Sequence, residues 1–167
     1  MEGMGRGKLL LVEDEELLRR LIAEFLRGEG FEVVEAADGL EGVGLFSGQG
    51  PFDLVLLDLN LPLLSGVDVC QRIKTQQPLQ PVLICSGAIL DDHVAALHAM
   101  NVDQFLSKPY HPLDLLERIA VEMSRVAPMP ADPPYPAATG PSRRVESPRR
   151  PLSQRSYPGQ ANAVGLR

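Results

Sequence analysis

The sequence predicts an α/β fold, a doubly wound five-stranded parallel sheet flanked by five helices. Two observations carry this prediction. Between residues 8 and 125, short apolar runs alternate five times with segments of helical period. Each run then opens into polar residues or a Pro/Gly/Ser stretch. The clearest run is Leu54-Val55-Leu56-Leu57, closed by Asp58 and followed by Leu59-Asn60-Leu61-Pro62-Leu63-Leu64-Ser65-Gly66. A run without polar alternation suits a strand covered on both faces. A buried helix segment would also be apolar, but the short length and the breaker-rich exit favour a strand.

Taken in order, the first strand is expected over 8–13, where Leu9 to Val12 run into Glu13 and Asp14. The first helix is expected over 15–27. Its Leu17, Leu18, Leu21, Ile22, Phe25 and Leu26 repeat at helical spacing and predict one inward face. Acids at its start suit a helix N-terminus, and Gly28 and Gly30 end it. A second strand over 31–36 carries the β-branched pair Val33 and Val34. Asp38-Gly39 marks a turn, with Asp38 or a neighbour capping a helix over 39–47 that contains three glycines. The third strand is the run that ends at Asp58.

Helix 65–76 turns Val67, Cys70 and Ile73 inward. The fourth strand, 81–85, opens into Ser86-Gly87-Ala88, and helix 91–100 follows. The fifth strand, 103–107, leads to Lys108-Pro109. The last helix, 112–125, is expected to bury Leu113, Leu116, Ile119, Ala120 and Met123. Proline at its first turn is tolerated because that N–H has no helical partner. Strict β-α alternation implies right-handed crossovers and a parallel sheet.

Charge divides the chain. Residues 1–126 hold 10 Lys+Arg and 20 Asp+Glu, 10 − 20 = −10, while 127–167 hold 6 Arg and 2 acids, 6 − 2 = +4. The acidic part argues against direct nucleic-acid binding by the globular domain. Nine of the 41 residues of 127–167 are proline and large apolar residues are nearly absent. Such a segment cannot bury enough surface to offset its ordering entropy. The expected organisation is a flexible segment over 1–7, one domain over 8–126, and a disordered Pro/Arg-rich tail over 127–167. Cys70 and Cys85 form no disulfide framework and fit a reducing compartment. No apolar stretch reaches ~18 residues, so no membrane span is expected. The Gly-rich, charged first residues are no signal peptide. A cytoplasmic location is the expectation.

The strand exits collect the chemistry. A parallel sheet brings Glu13 and Asp14, Asp58 with Asn60, Ser86, and Lys108 to one edge, where open α/β sheets bind ligands. Carboxylates placed together repel by about 4 kcal/mol per pair at ~4 Å and an effective dielectric of about 20. Lys108 or a divalent cation must offset this. Hard oxygen donors suit Mg²⁺, which completes its shell with water and phosphate oxygens. The edge therefore reads as a Mg²⁺ site that expects a phosphoryl group. No GxGxxG follows the first strand and no GxxxxGK[ST] occurs, so the usual nucleotide cradles are absent. His93 and His98 lack metal-ligand spacing and read as surface residues.

Four stretches, LLLVEDE, LVLLDLNLPLLSG, VLICSGA and DQFLSKPY, occur in this order and spacing. On them, residues 8–125 resemble the receiver domain of bacterial two-component response regulators, the CheY-like superfamily. The resemblance implies a flavodoxin-like strand order of 2-1-3-4-5. It makes Asp58 the phosphoacceptor, attacking the phosphorus of a phosphohistidine to give an acyl phosphate. Asp14, Asp58 and the backbone carbonyl of Asn60 would bind Mg²⁺, with Glu13 holding metal-bound water. Glu13 stands where the family often has Asp. Lys108, followed by a cis peptide to Pro109, would contact the phosphoryl oxygens. Ser86 would swing in to bond the phosphate, and Phe105 matches the aromatic switch position. A Phe on this strand is equally well a core residue.

The function so implied is a single-domain response regulator, a phospho-accepting signalling module rather than an enzyme. Its partners would be a sensor histidine kinase or histidine phosphotransfer protein, and a downstream protein target met through the helix 4–strand 5–helix 5 face. The alternative is a phosphorelay intermediate or phosphate sink. A phosphorylation-independent scaffold is the third reading, and the intact Asp14, Asp58, Ser86 and Lys108 argue against it. A haloacid-dehalogenase-type hydrolase also forms an aspartyl phosphate, but would carry a second Asp where Asn60 stands.

Overall fold

The computed structural model describes residues 5–126. Five parallel strands and five helices alternate along the chain: β1 (Lys8–Val12), α1 (Glu16–Gly28), β2 (Glu32–Ala36), α2 (Gly39–Gln49), β3 (Leu54–Leu57), α3 (Gly66–Gln76), β4 (Val82–Ser86), α4 (Asp91–Ala99), β5 (Phe105–Ser107) and α5 (Pro112–Val126). The sheet order is β2-β1-β3-β4-β5, the doubly wound, flavodoxin-like arrangement that the sequence predicts.

Alternation along each strand divides the core in two. Leu10, Val12, Val55, Leu57, Val82 and Ile84 point to one face and pack under Phe46, Val69, Ile73 and Leu97 of α2, α3 and α4. Leu9, Leu11, Leu54, Leu56, Leu83 and Cys85 point to the other, against Ile22, Ala23, Leu26, Leu115 and Ile119 of α1 and α5. With both faces covered, β1, β3 and β4 show unbroken apolar runs.

Register places the exits. Val12 pairs with Leu57, Leu57 with Ile84 and Ser86 with Ser107. The ladder continues just past the strands: Glu13 N–H donates to Ala36 O at 3.1 Å, Asp58 N–H to Val12 O at 3.1 Å, and Lys108 N–H to Ser86 O at 3.0 Å. Glu13, Asp58 and Lys108 are thus held by backbone pairing. The last of these bonds also carries β4 one residue beyond the expected end at Cys85.

Caps behave as the chemistry of the sequence suggests. The Asp38 side chain accepts from Glu41 N–H at 2.8 Å, and Glu41 accepts from the N–H of Ala37, one residue before the cap, at 2.7 Å. Ser65 caps α3 by accepting from Asp68 N–H at 3.2 Å.

Two helix faces differ from expectation. Leu17 and Leu21 of α1, expected inward, are more than half exposed. Only the Ile22-Ala23-Leu26 stripe of α1 is buried, because a helix at the flank of a sheet buries a narrower stripe than its apolar residues span. In α5, Leu113 and Ala120 are exposed, while Leu115, Ile119 and Glu122 are buried. The buried set keeps the i, i+4, i+7 spacing, but its phase is rotated from the expected one. The tail expected over 127–167 lies outside the described residues.

Gly66 opens α3 against the loop that leaves β3. A Cβ there would overlap the Asp58 carbonyl oxygen and lie 2.5 Å from Leu59 Cα. These are backbone atoms that cannot swing aside, so overpacking must move the strand exit itself. Gly66→Ala is expected to lower stability by about 1–3 kcal/mol, read as a reduced urea midpoint at unchanged slope. An unchanged midpoint would show that this loop yields without moving Asp58.

Candidate functional site

Asp58 directly follows β3 and is 6 % exposed; Glu13, just beyond the neighbouring strand β1, is 3 % exposed. Two nearly buried carboxylates side by side require a counter-charge. Lys108, reaching across from the end of β5, supplies it: its Nζ donates to Glu13 Oε2 and to Asp58 Oδ2, each at 2.5 Å. The Lys108 side chain is itself largely covered. The peptide joining Lys108 to Pro109 is cis.

The other Asp58 oxygen, Oδ1, accepts from Asn60 N–H at 3.0 Å. Ser86 is fully buried at the end of β4, the strand beside β3. Its Oγ accepts from Asn60 Nδ2 at 3.3 Å and lies 3.5 Å from Ala88 O. Glu13 is braced by its own chain: Oε1 accepts from Glu15 N–H at 3.4 Å, and its carbonyl accepts from Arg19 at 2.8 Å.

The acids respond differently to this shared environment. Burial works to raise the Asp58 pKa, but the Lys108 bond, the Asn60 N–H and Ser86 outweigh it and hold the carboxyl below its ordinary value. Burial dominates at Glu13 and raises its pKa, with the Asp58 charge adding to the effect despite Lys108. For Lys108, burial favours loss of the proton, yet the two carboxylates prevail and raise its pKa. Asp58 is therefore the carboxylate kept ionised.

Asp14 is exposed at the mouth of the site. Ligand oxygens of Glu13, Asp14 and Asp58 lie within 4.8 Å of one another. Three oxygens this close together can converge on one small cation. Three carboxylates against one ammonium leave −2, matching a dication, and the all-oxygen donor set suits a hard one. The cluster could hold such a cation.

Every exit residue singled out in the sequence is thus gathered here. Phe105 stands apart on the edge strand β5, half-buried, with its ring 5.8 Å from that of His98 on α4. Cys70 and Cys85 are buried free thiols, pushed by burial up to about 11 and about 12, and stay protonated. Two features had no sequence signal. One is the Asn60 amide bond to Ser86. The other is an apolar groove between α1 and α5, where Leu21, Phe25, Tyr110 and Pro112 line a cavity of about 180 Å³.

Loss of Lys108 would leave two buried carboxylates unpaired. Lys108→Ala is expected to destabilise the fold by about 3–5 kcal/mol at pH 7. The lowered Asp58 pKa contributes stability above the ordinary 3.8, lost as pH falls through the folded value. The raised Lys108 pKa contributes below 10.5, lost as pH rises through the folded value. The pair therefore acts fully across neutral pH. In the variant, Glu13 takes up a proton as pH falls, so the deficit should shrink from pH 7 to pH 5 in urea unfolding. A deficit independent of pH would contradict this charge balance.

Comparison with known proteins agrees with this fold. The family model described as response regulator receiver domain matches residues 9–120. An uncharacterized transcriptional regulatory protein of Bacillus subtilis, YcbL, is 35 % identical over 75 % of this chain and 54 % of its own length. The sensory transduction protein RegX3 of Mycolicibacterium smegmatis is 36 % identical, over 71 % of this chain and 51 % of its own. The chain thus spans about half the length of the curated relatives it matches. A receiver domain structure from Clostridium thermocellum superposes with a TM-score of 0.66 at 29 % identity, covering 71 % of this chain and 94 % of that one. A CheY-like receiver domain protein from Methanospirillum hungatei gives 0.68 at 25 % identity, with the same coverages.

Proposed function

The chain belongs to the response regulator receiver domain family, and from that premise we propose that Asp58 accepts a phosphoryl group from a sensor histidine kinase or histidine phosphotransfer protein. A carboxylate oxygen of Asp58 attacks the phosphorus, the N–P bond of the phosphohistidine breaks, and the imidazole leaves with that electron pair. The observation that carries this reading is the buried Asp58 kept ionised by Lys108 and the Asn60 N–H, since only the ionised form is a nucleophile.

Lys108 sits where it can follow the charge from carboxylate to phosphoryl oxygen, and Ser86 offers a hydroxyl to another oxygen. Asp14, Asp58 and the Asn60 carbonyl would hold Mg²⁺, with Glu13 bonding its water. The cation's contribution is positive charge against the phosphoryl oxygens. The acidic balance of 1–126, −10, supports signalling by protein contact rather than by this unit binding DNA, and we place the activity in the cytoplasm. No described helix is long and apolar enough to cross a membrane. The exposed α4–β5–α5 face, where Phe105 meets His98, is the proposed output surface. That this unit signals alone belongs to the proposal, because the curated relatives extend well beyond the part they share with it.

One observation favours a second reading. Ala88, two residues past Ser86, is small and exposed, leaving the phosphoryl position open to water. A short-lived phosphoryl group would suit a phosphorelay intermediate or a sink.

Acetyl phosphate tests the chemistry, since attack by Asp58 breaks its P–O bond and releases acetate. With Mg²⁺, wild type is expected to give a shifted band on a phosphate-retarding gel, and Asp58→Asn none. Decay of the band over hours would support a durable signal; decay within seconds to minutes would support the relay or sink. Failure of folded wild type to be labelled by either acetyl phosphate or a phosphohistidine donor would overturn the proposal.

A further inference from the structure

Resting on the phosphoacceptor reading, we infer that the Asn60 side chain is a positioning residue that aims the Ser86 hydroxyl at the Asp58 phosphoryl site before any phosphoryl group arrives. The reading above uses only the Asn60 backbone. Its side chain does something separate. Asn60 follows β3 and Ser86 ends β4, and these strands are neighbours in the sheet. Nδ2 of Asn60 donates to Ser86 Oγ at 3.3 Å, while the N–H of the same residue donates to Asp58 Oδ1 at 3.0 Å. One residue therefore ties the acceptor carboxylate and the serine together.

The direction of these bonds matters. A serine hydroxyl has one proton and two lone pairs, and it rotates to suit its partners. An amide N–H occupying a lone pair leaves the hydroxyl to act as a donor. Ser86 is fully buried, so water is not its partner. Its acceptor at rest is Ala88 O, at the 3.5 Å limit, a weak bond that a nearer phosphoryl oxygen would displace. The Asn60 amide thus fixes the Ser86 oxygen beside the residue that holds Asp58 and leaves its proton free to turn to the phosphoryl oxygens that would later lie there. An amide nitrogen can only donate, so the bias has one sign. A solvated asparagine on this exposed loop position would show no such coupling to Ser86.

The test uses fluoroberyllate, which forms a tetrahedral adduct on a carboxylate in place of a phosphoryl group. Its affinity in saturating Mg²⁺, and that of Mg²⁺ alone, are measured by calorimetry on the full chain. Four forms are compared: wild type, Asn60→Ala, Ser86→Ala and the double variant. Asn60→Ala keeps the backbone N–H and carbonyl, so Mg²⁺ affinity should stay within about twofold. Fluoroberyllate affinity should fall about threefold to tenfold, the loss of one neutral hydrogen bond. In the Ser86→Ala background the Asn60 change should have no further effect, because the group it aims is gone.

Wild-type affinity in Asn60→Ala, additive losses in the double variant, or a matching fall in Mg²⁺ affinity would each overturn the inference while leaving the phosphoacceptor reading intact. Wild type that binds no fluoroberyllate in Mg²⁺ would overturn both.

Discussion

The rest of the site depends on one ammonium group held between two buried carboxylates. Lys108 bridges Glu13 and Asp58, and without it both acids would be harder to keep ionised at that depth. The repulsion between the acids and the desolvation of each are several kcal/mol, comparable with the net stability of a small domain. Lys108 offsets only part of this. Asp14 adds a third carboxylate at the mouth, and Glu13 stays harder to ionise than an ordinary glutamate. Such a site is more negative than its fold would choose on stability alone. On the proposed mechanism, that excess would make it receptive to a dication and then to a phosphoryl group drawn in by the dication and the lysine.

The sheet imposes this arrangement. Glu13, Asp58 and Lys108 are each anchored by a backbone bond one step past a strand, so their spacing follows from parallel register rather than from flexible loops. Close packing at Gly66 against the Asp58 backbone holds the following loop down. A site that must keep like charges together is best mounted on elements too stiff to let them separate.

Most of this was legible in the sequence for identifiable reasons. Strands buried on both faces leave an apolar signature that survives without an alignment, and the polar residue after each run marks the exit. Asp38 announced a helix start through its capping chemistry. Other features leave no such trace. Leu17, Leu21 and Leu113 are as apolar as Leu26 and Leu115, and which of them is buried depends on how far each helix rotates as it docks. Periodicity gives the width of a stripe better than its phase. The Asn60–Ser86 bond joins residues 26 apart through the pairing of two strands, and no local pattern encodes it. Glu122, charged yet buried near the end of α5, escaped notice for another reason: an acid three residues before Arg125 reads as an ordinary solvated helix pair.

An already buried Ser86 also changes what phosphorylation has to accomplish on the proposed mechanism. Moving a two-state switch from 1:99 to 99:1 needs about 5.5 kcal/mol of differential binding. If the hydroxyl had to be withdrawn from solvent contacts first, the phosphoryl bonds would have to cover that rearrangement as well. Here Asn60 and the Ala88 carbonyl hold the hydroxyl in place at rest, so its bond to a phosphoryl oxygen replaces an existing bond instead of adding a whole one. The free-energy difference available to the switch must then come chiefly from the added charge acting through Lys108 and the cation. The output surface would respond to movement of the lysine end of β5, the short edge strand that also carries Phe105, more than to movement of Ser86.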